Sequence, residues 1–185
     1  RQLDNSHRGF SYRANSRLDM KFSPHGTSAE ELLNAVQEDE IANILRIYGE
    51  EPFAKVIARR IVEKRRATPL LYTFDLRSIV EESVPPSQLV KSLSRVFQAI
   101  RIAVNNELDT LYNTLTNCMP ILRPSGRIII ISYHSLEDRI VKNFFKDNKN
   151  LNVITKKPIT PSNEEILRNL RARSAKLRAA EVVNK

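Results

Sequence analysis

Four consecutive isoleucines, Ile128–Ile131, run directly into Ser132, Tyr133, His134, Ser135, Leu136, Glu137, Asp138 and Arg139. A run this short and wholly β-branched does not suit a helix; it predicts a β-strand buried on both faces. Gly126, two residues after Pro124, marks the turn into it. In an α/β sheet the end of such a strand, where the chain enters a helix, is the usual place for a ligand. The polar stretch Ser132–Arg139 is therefore the first candidate for chemistry.

Composition bounds the rest. A chain of 185 residues suits one domain, or a domain with a modest insertion. Its 41% hydrophobic content supports a packed core. The single Cys118 excludes an internal disulfide framework, and no zinc-ligand spacing occurs, so no metal is expected. No apolar stretch reaches membrane-spanning length and no signal-peptide pattern opens the chain. The expectation is a soluble, cytoplasmic protein without a membrane partner. Arg1, not Met, opens the chain, which reads as a processed, split or partial sequence. The net charge of +9 is uneven: residues 139–185 hold twelve Lys and Arg against four Asp and Glu, a net of +8. Such a tract binds polyanions by releasing counterions. The plain alternative is a solvated tail.

Three zones follow one another. Residues 1–27 lack any hydrophobic period and read as a long ordered loop, a kind kept for function. Residues 28–95 are helical. Ser28 and Glu31 have capping-box spacing, and Leu32, Leu33 and Val36 begin an apolar stripe. Gly49 stops that helix and Pro52 suits the first turn of the next, whose apolar face is Phe53, Val56, Ile57, Ile61 and Val62. Thr73 with Asp75 predicts a further cap before the break at Pro85 and Pro86. From there a long helix is expected over 87–117, then the isoleucine strand, a helix over LEDRIVKNFFKD, a strand candidate LNVITKKPI, and a last helix near Ser162. Helix, strand, helix, strand suggests half of an open α/β sheet.

The blocks RGFSYR, RLDM, YGEEPFAKVIARRIVEKR, FQAIRIAVNNEL, ISYHSLEDRIVKNFF and RARSAKLRAAE stand in this order through nearly the whole chain. In them the chain resembles the bacterial small-subunit (16S) ribosomal RNA cytosine-N4 methyltransferases. The resemblance implies the C-terminal part of a Rossmann-like class I methyltransferase sheet with an inserted helical domain. On that frame 1–27 is a substrate and cofactor loop after a missing strand, 28–95 the insertion, and 96–185 the C-terminal half of the α/β domain with a basic tail. The implied cofactor is S-adenosyl-L-methionine, the implied partner is ribosomal RNA in the small subunit, and the implied target is a cytidine of the decoding region. An upstream piece, or a homodimer, would complete the sheet. The sequence also departs from the pattern: Lys21, Phe22 and Ser23 follow Met20 where the family has Arg-Met-Asp, and Leu170 replaces a common Pro. The family's glycine-rich cofactor loop has no counterpart in these residues.

Methyl transfer to a cytosine amine needs the nitrogen held in line with the methyl, an acceptor for an amine hydrogen, and a base out of its stack. Asp19, His134 and Asp138 are the candidate catalytic groups. Gln2 is the cofactor contact that the resemblance implies. Candidate substrate contacts are Arg8, Gly9, Phe10, Tyr12, Ser132, Ser135, Glu137, Arg139, Arg171, Arg173 and Lys176. Plain readings stand beside these. Ser135 suits a helix cap, with Glu137 and Asp138 complementing the dipole. Phe144 and Phe145 suit a core. Asn105, Asn106 and Glu107 are a substrate-facing patch or a solvated turn. Ser174, Lys176 and Arg178 are RNA contacts or an exposed basic helix. The alternative function is a non-catalytic, basic RNA-binding module derived from the same family.

One expectation concerns the cofactor. Gly9, Gly26, Gly49 and Gly126 are the only glycines and no two lie within fifteen residues, so no Gly-x-Gly cradle can form. A single hydrogen bond from Gln2 adds about 0.5–1.5 kcal/mol, whereas micromolar binding needs about 8 kcal/mol. Titration calorimetry of the 185-residue chain with S-adenosylmethionine should give no dissociation constant in the low micromolar range. A value in that range would show that the cofactor needs no such cradle.

Overall fold

Ser28 and Glu31 form the reciprocal cap that their spacing predicts. The Glu31 N–H donates to Ser28 Oγ at 3.1 Å, and the Ser28 N–H donates to Glu31 Oε2 at 2.7 Å. These bonds from Ser28, its backbone N–H foremost, hold the Glu31 carboxyl below the usual carboxylate range. This cap opens α1 (Ala29–Ala35) in the computed structural model, which describes residues 6–183. It is followed by α2 (Glu38–Gly49), α3 (Ala54–Ala67), α4 (Thr73–Ser83) and α5 (Leu89–Asn105). These helices belong to the first of two compact units, Arg1–Asn106, whose core includes Leu33, Ile41, Leu45, Ile57, Ile61 and Ile100. Gly49 lets α2 and α5 approach closely: a Cβ there would lie 2.9 Å from the Arg95 carbonyl oxygen.

The aperiodic N-terminal segment is ordered by this helical core. Leu18 and Met20 are fully buried in it, and Phe10 and Tyr12 pack against it. A bridge pairs Arg17 with Tyr72, and the Leu18 N–H donates to the Leu71 carbonyl at 2.9 Å.

The second unit, Glu107–Lys185, holds the sheet. Its elements are α6 (Glu107–Cys118), β1 (Arg127–Ser132), α7 (Ser135–Asp147), β2 (Leu151–Val153), α8 (Asn163–Arg168) and β3 (Lys176–Val182). The strands are antiparallel in the order β1-β3-β2. Ile128, Ala180 and Leu151 meet Val141 and Phe145 of α7 and Leu115 of α6 in one core.

The fold differs from four of the sequence expectations. The isoleucine strand is not buried on both faces. Ile128 and, in part, Ile130 join the core, whereas Ile129 and Ile131 remain 58% and 53% exposed. The reason is that β1 is an edge strand of the described sheet and α7 packs against the other face. The helix expected over 87–117 is two helices, because Asn106 adopts a left-handed conformation (φ 47°) and ends α5. A stretch without glycine or proline gave no sign of that break, although Asn is the non-glycine residue that tolerates it best. The basic run near the C-terminus is not one tail or helix: Arg168 ends α8, Arg171 and Arg173 lie on a 3-10 turn, and Lys176 and Arg178 enter the central strand. The edge drawn at 95/96 falls inside α5, and the contacts divide the chain at Asn106 instead.

The two faces of β1 should respond differently to truncation. Ile128→Ala should cost about 2–4 kcal/mol in urea unfolding of this chain, and Ile129→Ala less than about 1. Equal losses would mean that the second face is covered in solution.

Candidate functional site

The polar turn after β1 is assembled by its own hydrogen bonds. His134, in extended conformation, is the N-cap of α7, and its Nδ1 accepts from the Glu137 N–H at 3.4 Å. Glu137 Oε2 reciprocates by accepting from the N–H groups of Tyr133 (2.8 Å) and His134 (3.3 Å). The cap thus falls one residue earlier than Ser135, which becomes the first helical residue. Ser132 is buried, and its hydroxyl donates to the Lys176 carbonyl at 3.3 Å. Tyr133 is exposed beside them.

Asp138 is not an open acceptor, which corrects its reading as a free catalytic carboxylate. Arg178 Nε donates to its Oδ1 at 2.6 Å, Arg178 Nη2 to its Oδ2 at 3.2 Å, and Lys176 Nζ lies 3.4 Å from Oδ2. The carboxylate and guanidinium are both buried, at 9% and 6% exposure. The hydrogen bond from Arg178 holds the Asp138 carboxyl below its usual range, against the opposing effect of burial. By its neighbours along the chain Arg178 reads as an RNA contact or part of an exposed basic helix, whereas the strand turns it inward. The signal available was the period-two pattern of Lys176–Val182, which puts Arg178 on the same strand face as Ala180.

Glu107, His134 and Glu137 place one donor atom each within 4.8 Å of one another, the one such grouping among the described residues. Its chemistry argues against a metal ion. With Nδ1 accepting from a backbone N–H, the neutral ring carries its proton on Nε2, which lies 3.4 Å from Glu137 Oε1. A ligating nitrogen would have to break the cap.

In the first unit the predicted contacts mostly brace the loop. The Arg8 guanidinium donates to the Lys21 carbonyl and lies over the Phe10 ring, which stacks on Phe22 at 5.5 Å. Tyr12 packs edge-on to Phe97 and shares a hydrogen bond with Ser94. Gly9 is left-handed (φ 75°), and a Cβ there would lie 2.3 Å from the Arg17 carbonyl oxygen, so no other residue fits without shifting the backbone. Asn105 proves to be a staple: it accepts from the Phe22 N–H at 2.6 Å and donates to the Met20 carbonyl at 2.7 Å. Asp19 is half-buried, 3.4 Å from Lys21 Nζ, and lines a cavity of about 300 Å³ with Arg17, Lys21, Ser28, Glu30 and Glu31. Arg17 forks onto Glu30 at 2.8–3.1 Å. Arg139 is exposed on the first turn of α7, and Arg171 and Arg173 are exposed on a 3-10 turn before β3. Gln2 lies outside the described residues.

Comparison with known proteins covers nearly the same span. The sequence model of the MraW methylase family matches residues 1–183. A relative from Cyanothece sp. (strain PCC 7425) named ribosomal RNA small subunit methyltransferase H is 50% identical over 182 residues, covering 97% of this chain and 61% of the relative. Proteins of the same name from Rickettsia africae and Rickettsia conorii are 44% and 43% identical over 203 residues, covering 98% of this chain and 66% of each relative. The chain thus spans somewhat under two thirds of the length of these relatives.

The buried pair makes a pH-dependent stability claim. A carboxyl whose folded value is depressed stabilises the fold above its unfolded pKa of about 3.9, and that contribution is lost as pH falls through the folded value. Asp138→Asn should therefore cost about 3 kcal/mol at neutral pH, with the gap to wild type closing below about pH 4. Thermal melts across pH test this. A gap that stays constant into acid would show that the ion pair is not its source.

Proposed function

This chain belongs to the MraW methylase family, and from that premise we propose that it is part of a cytoplasmic enzyme transferring a methyl group from S-adenosylmethionine to a cytidine N4 of small-subunit ribosomal RNA. The observation that carries the reading is 43–50% identity, along nearly the whole chain, to relatives named for methylation of that RNA. The proposed target within the RNA is the decoding region. The three-stranded sheet is read as the C-terminal end of a Rossmann-like sheet, and the helical unit as its insertion.

The described residues do not form a cradle for the cofactor. Their glycines are widely separated, and the one in a tight loop, Gly9, is filled against the Arg17 carbonyl. S-adenosylmethionine, when bound, would supply the electrophilic methyl. What this chain contributes is the handling of the base and its amine. Tyr133, exposed at the end of β1 on a capped and rigid turn, offers a ring face on which an unstacked base can lie. His134 Nδ1 is taken by the cap and Asp138 by Arg178, so neither is the acceptor for an amine hydrogen. Both are positioning residues. In the first unit, taken by itself, Asp19 is a half-buried carboxylate that can accept from a donor. Its carboxylate borders a cavity beside Lys21, and an ionised carboxylate accepts only.

In the complete enzyme, Asp19→Ala should lower single-turnover methylation of small ribosomal subunits by about 10²–10⁴-fold with little change in the melting temperature. A rate within a few-fold of wild type would remove Asp19 from the reaction. RNA binding without transfer by the complete wild-type protein would favour the non-catalytic reading instead.

A further inference from the structure

The second unit carries a cavity apart from the polar turn. It holds about 210 Å³ and lies among α7, β2 and β3. Half-buried Val153, backed by fully buried Phe145, gives it an apolar floor. Lys142 and Lys146, one helical turn apart on α7, and Lys156, just beyond β2, stand exposed around it. Arg178 also borders it, but its charge is matched by Asp138. The three lysines have no carboxylate partner among the described residues. An apolar floor ringed by uncompensated cations suits a ligand with a flat, uncharged part and flanking negative charges. The volume is below the roughly 300–1,000 Å³ of pockets for drug-sized ligands, so only one small ring system can enter.

We propose that this cavity receives one unstacked nucleotide of single-stranded RNA, its base against Val153 and its neighbouring phosphates on Lys142, Lys146 and Lys156. Single-stranded RNA is held in this way, with splayed bases against apolar and aromatic groups and the backbone along cations. A duplex keeps its bases stacked and can offer the lysines only phosphates. The choice of RNA as ligand rests on the function proposed above and extends it to a second contact, on α7.

The test is equilibrium binding of a labelled, short single-stranded RNA to the 185-residue chain, without cofactor, over a range of salt. An abasic ribose-phosphate strand of the same length is the comparison ligand. Wild type should bind the RNA about fivefold or more tighter than the abasic strand. Replacing Lys142, Lys146 and Lys156 together by Ala should weaken RNA binding about tenfold and reduce the slope of log affinity against log salt by about two. Val153→Trp, which fills the floor, should reduce the preference for RNA to the part that Tyr133 supplies while leaving the salt slope unchanged. Melting curves establish that each variant is folded, and the abasic comparison holds even if Val153→Trp is not. An unchanged slope in the triple variant overturns the proposal. So does equal affinity for the two strands, which would leave a phosphate-only surface, or an undiminished preference in folded Val153→Trp. None of these readings requires methyl transfer, so failure of the pocket and failure of the methyltransferase reading are separate results.

Discussion

The second unit depends on one ion pair. Arg178 stands in the middle of the central strand, on the face that α7 covers, and a guanidinium buried there needs an anion within reach. Asp138 supplies it from the first turn of α7. The pair fixes where α7 begins relative to β3. It therefore also fixes where the chain must leave β1 and be capped. The reciprocal bonds between His134 and Glu137 then satisfy backbone groups that the turn would otherwise strand. A buried pair of this kind adds little net stability over an apolar replacement, but losing one partner is costly. Its effect is on register and orientation.

This has a chemical consequence. His134, Glu137 and Asp138 are all engaged in holding the turn in place, so on the function proposed above the turn presents a base rather than reacting with it. Rigid presentation has value in its own right, because a ring fixed at a strand end can receive a base without the entropic cost of ordering it first.

The first unit solves a different problem with the same kind of device. Its N-terminal segment has no regular ladder, so its backbone groups need partners elsewhere. Side-chain amides provide them. Asn105 binds both a carbonyl and an N–H of that segment, and Asn34 does the same for Leu70. Leu18 and Met20 then anchor the segment by burial. Held from both sides, the segment carries Asp19 to the border of a charged cavity.

Local patterns in the sequence determined the parts that depend on neighbours along the chain: the Ser28–Glu31 cap, the end of α2 at Gly49, the amphipathic face of α3, the strand at Ile128–Ile131 and the helix after it. Each rests on spacing within a few residues, which the sequence displays directly. The ordered blocks likewise determined the family. Only the tertiary structure decided the rest. A carboxylate and a guanidinium forty residues apart became a buried pair, so Asp138, expected to be an open acceptor, is held by Arg178, and Arg178 lies in the interior. The end of the basic run lies in the central strand, where Asp138 pairs with both Lys176 and Arg178. Ile129 and Ile131 stayed exposed because burial of a strand face depends on what packs over it, not on the strand's own residues. Charge and hydrophobicity are properties of residues, but burial and pairing are properties of the fold.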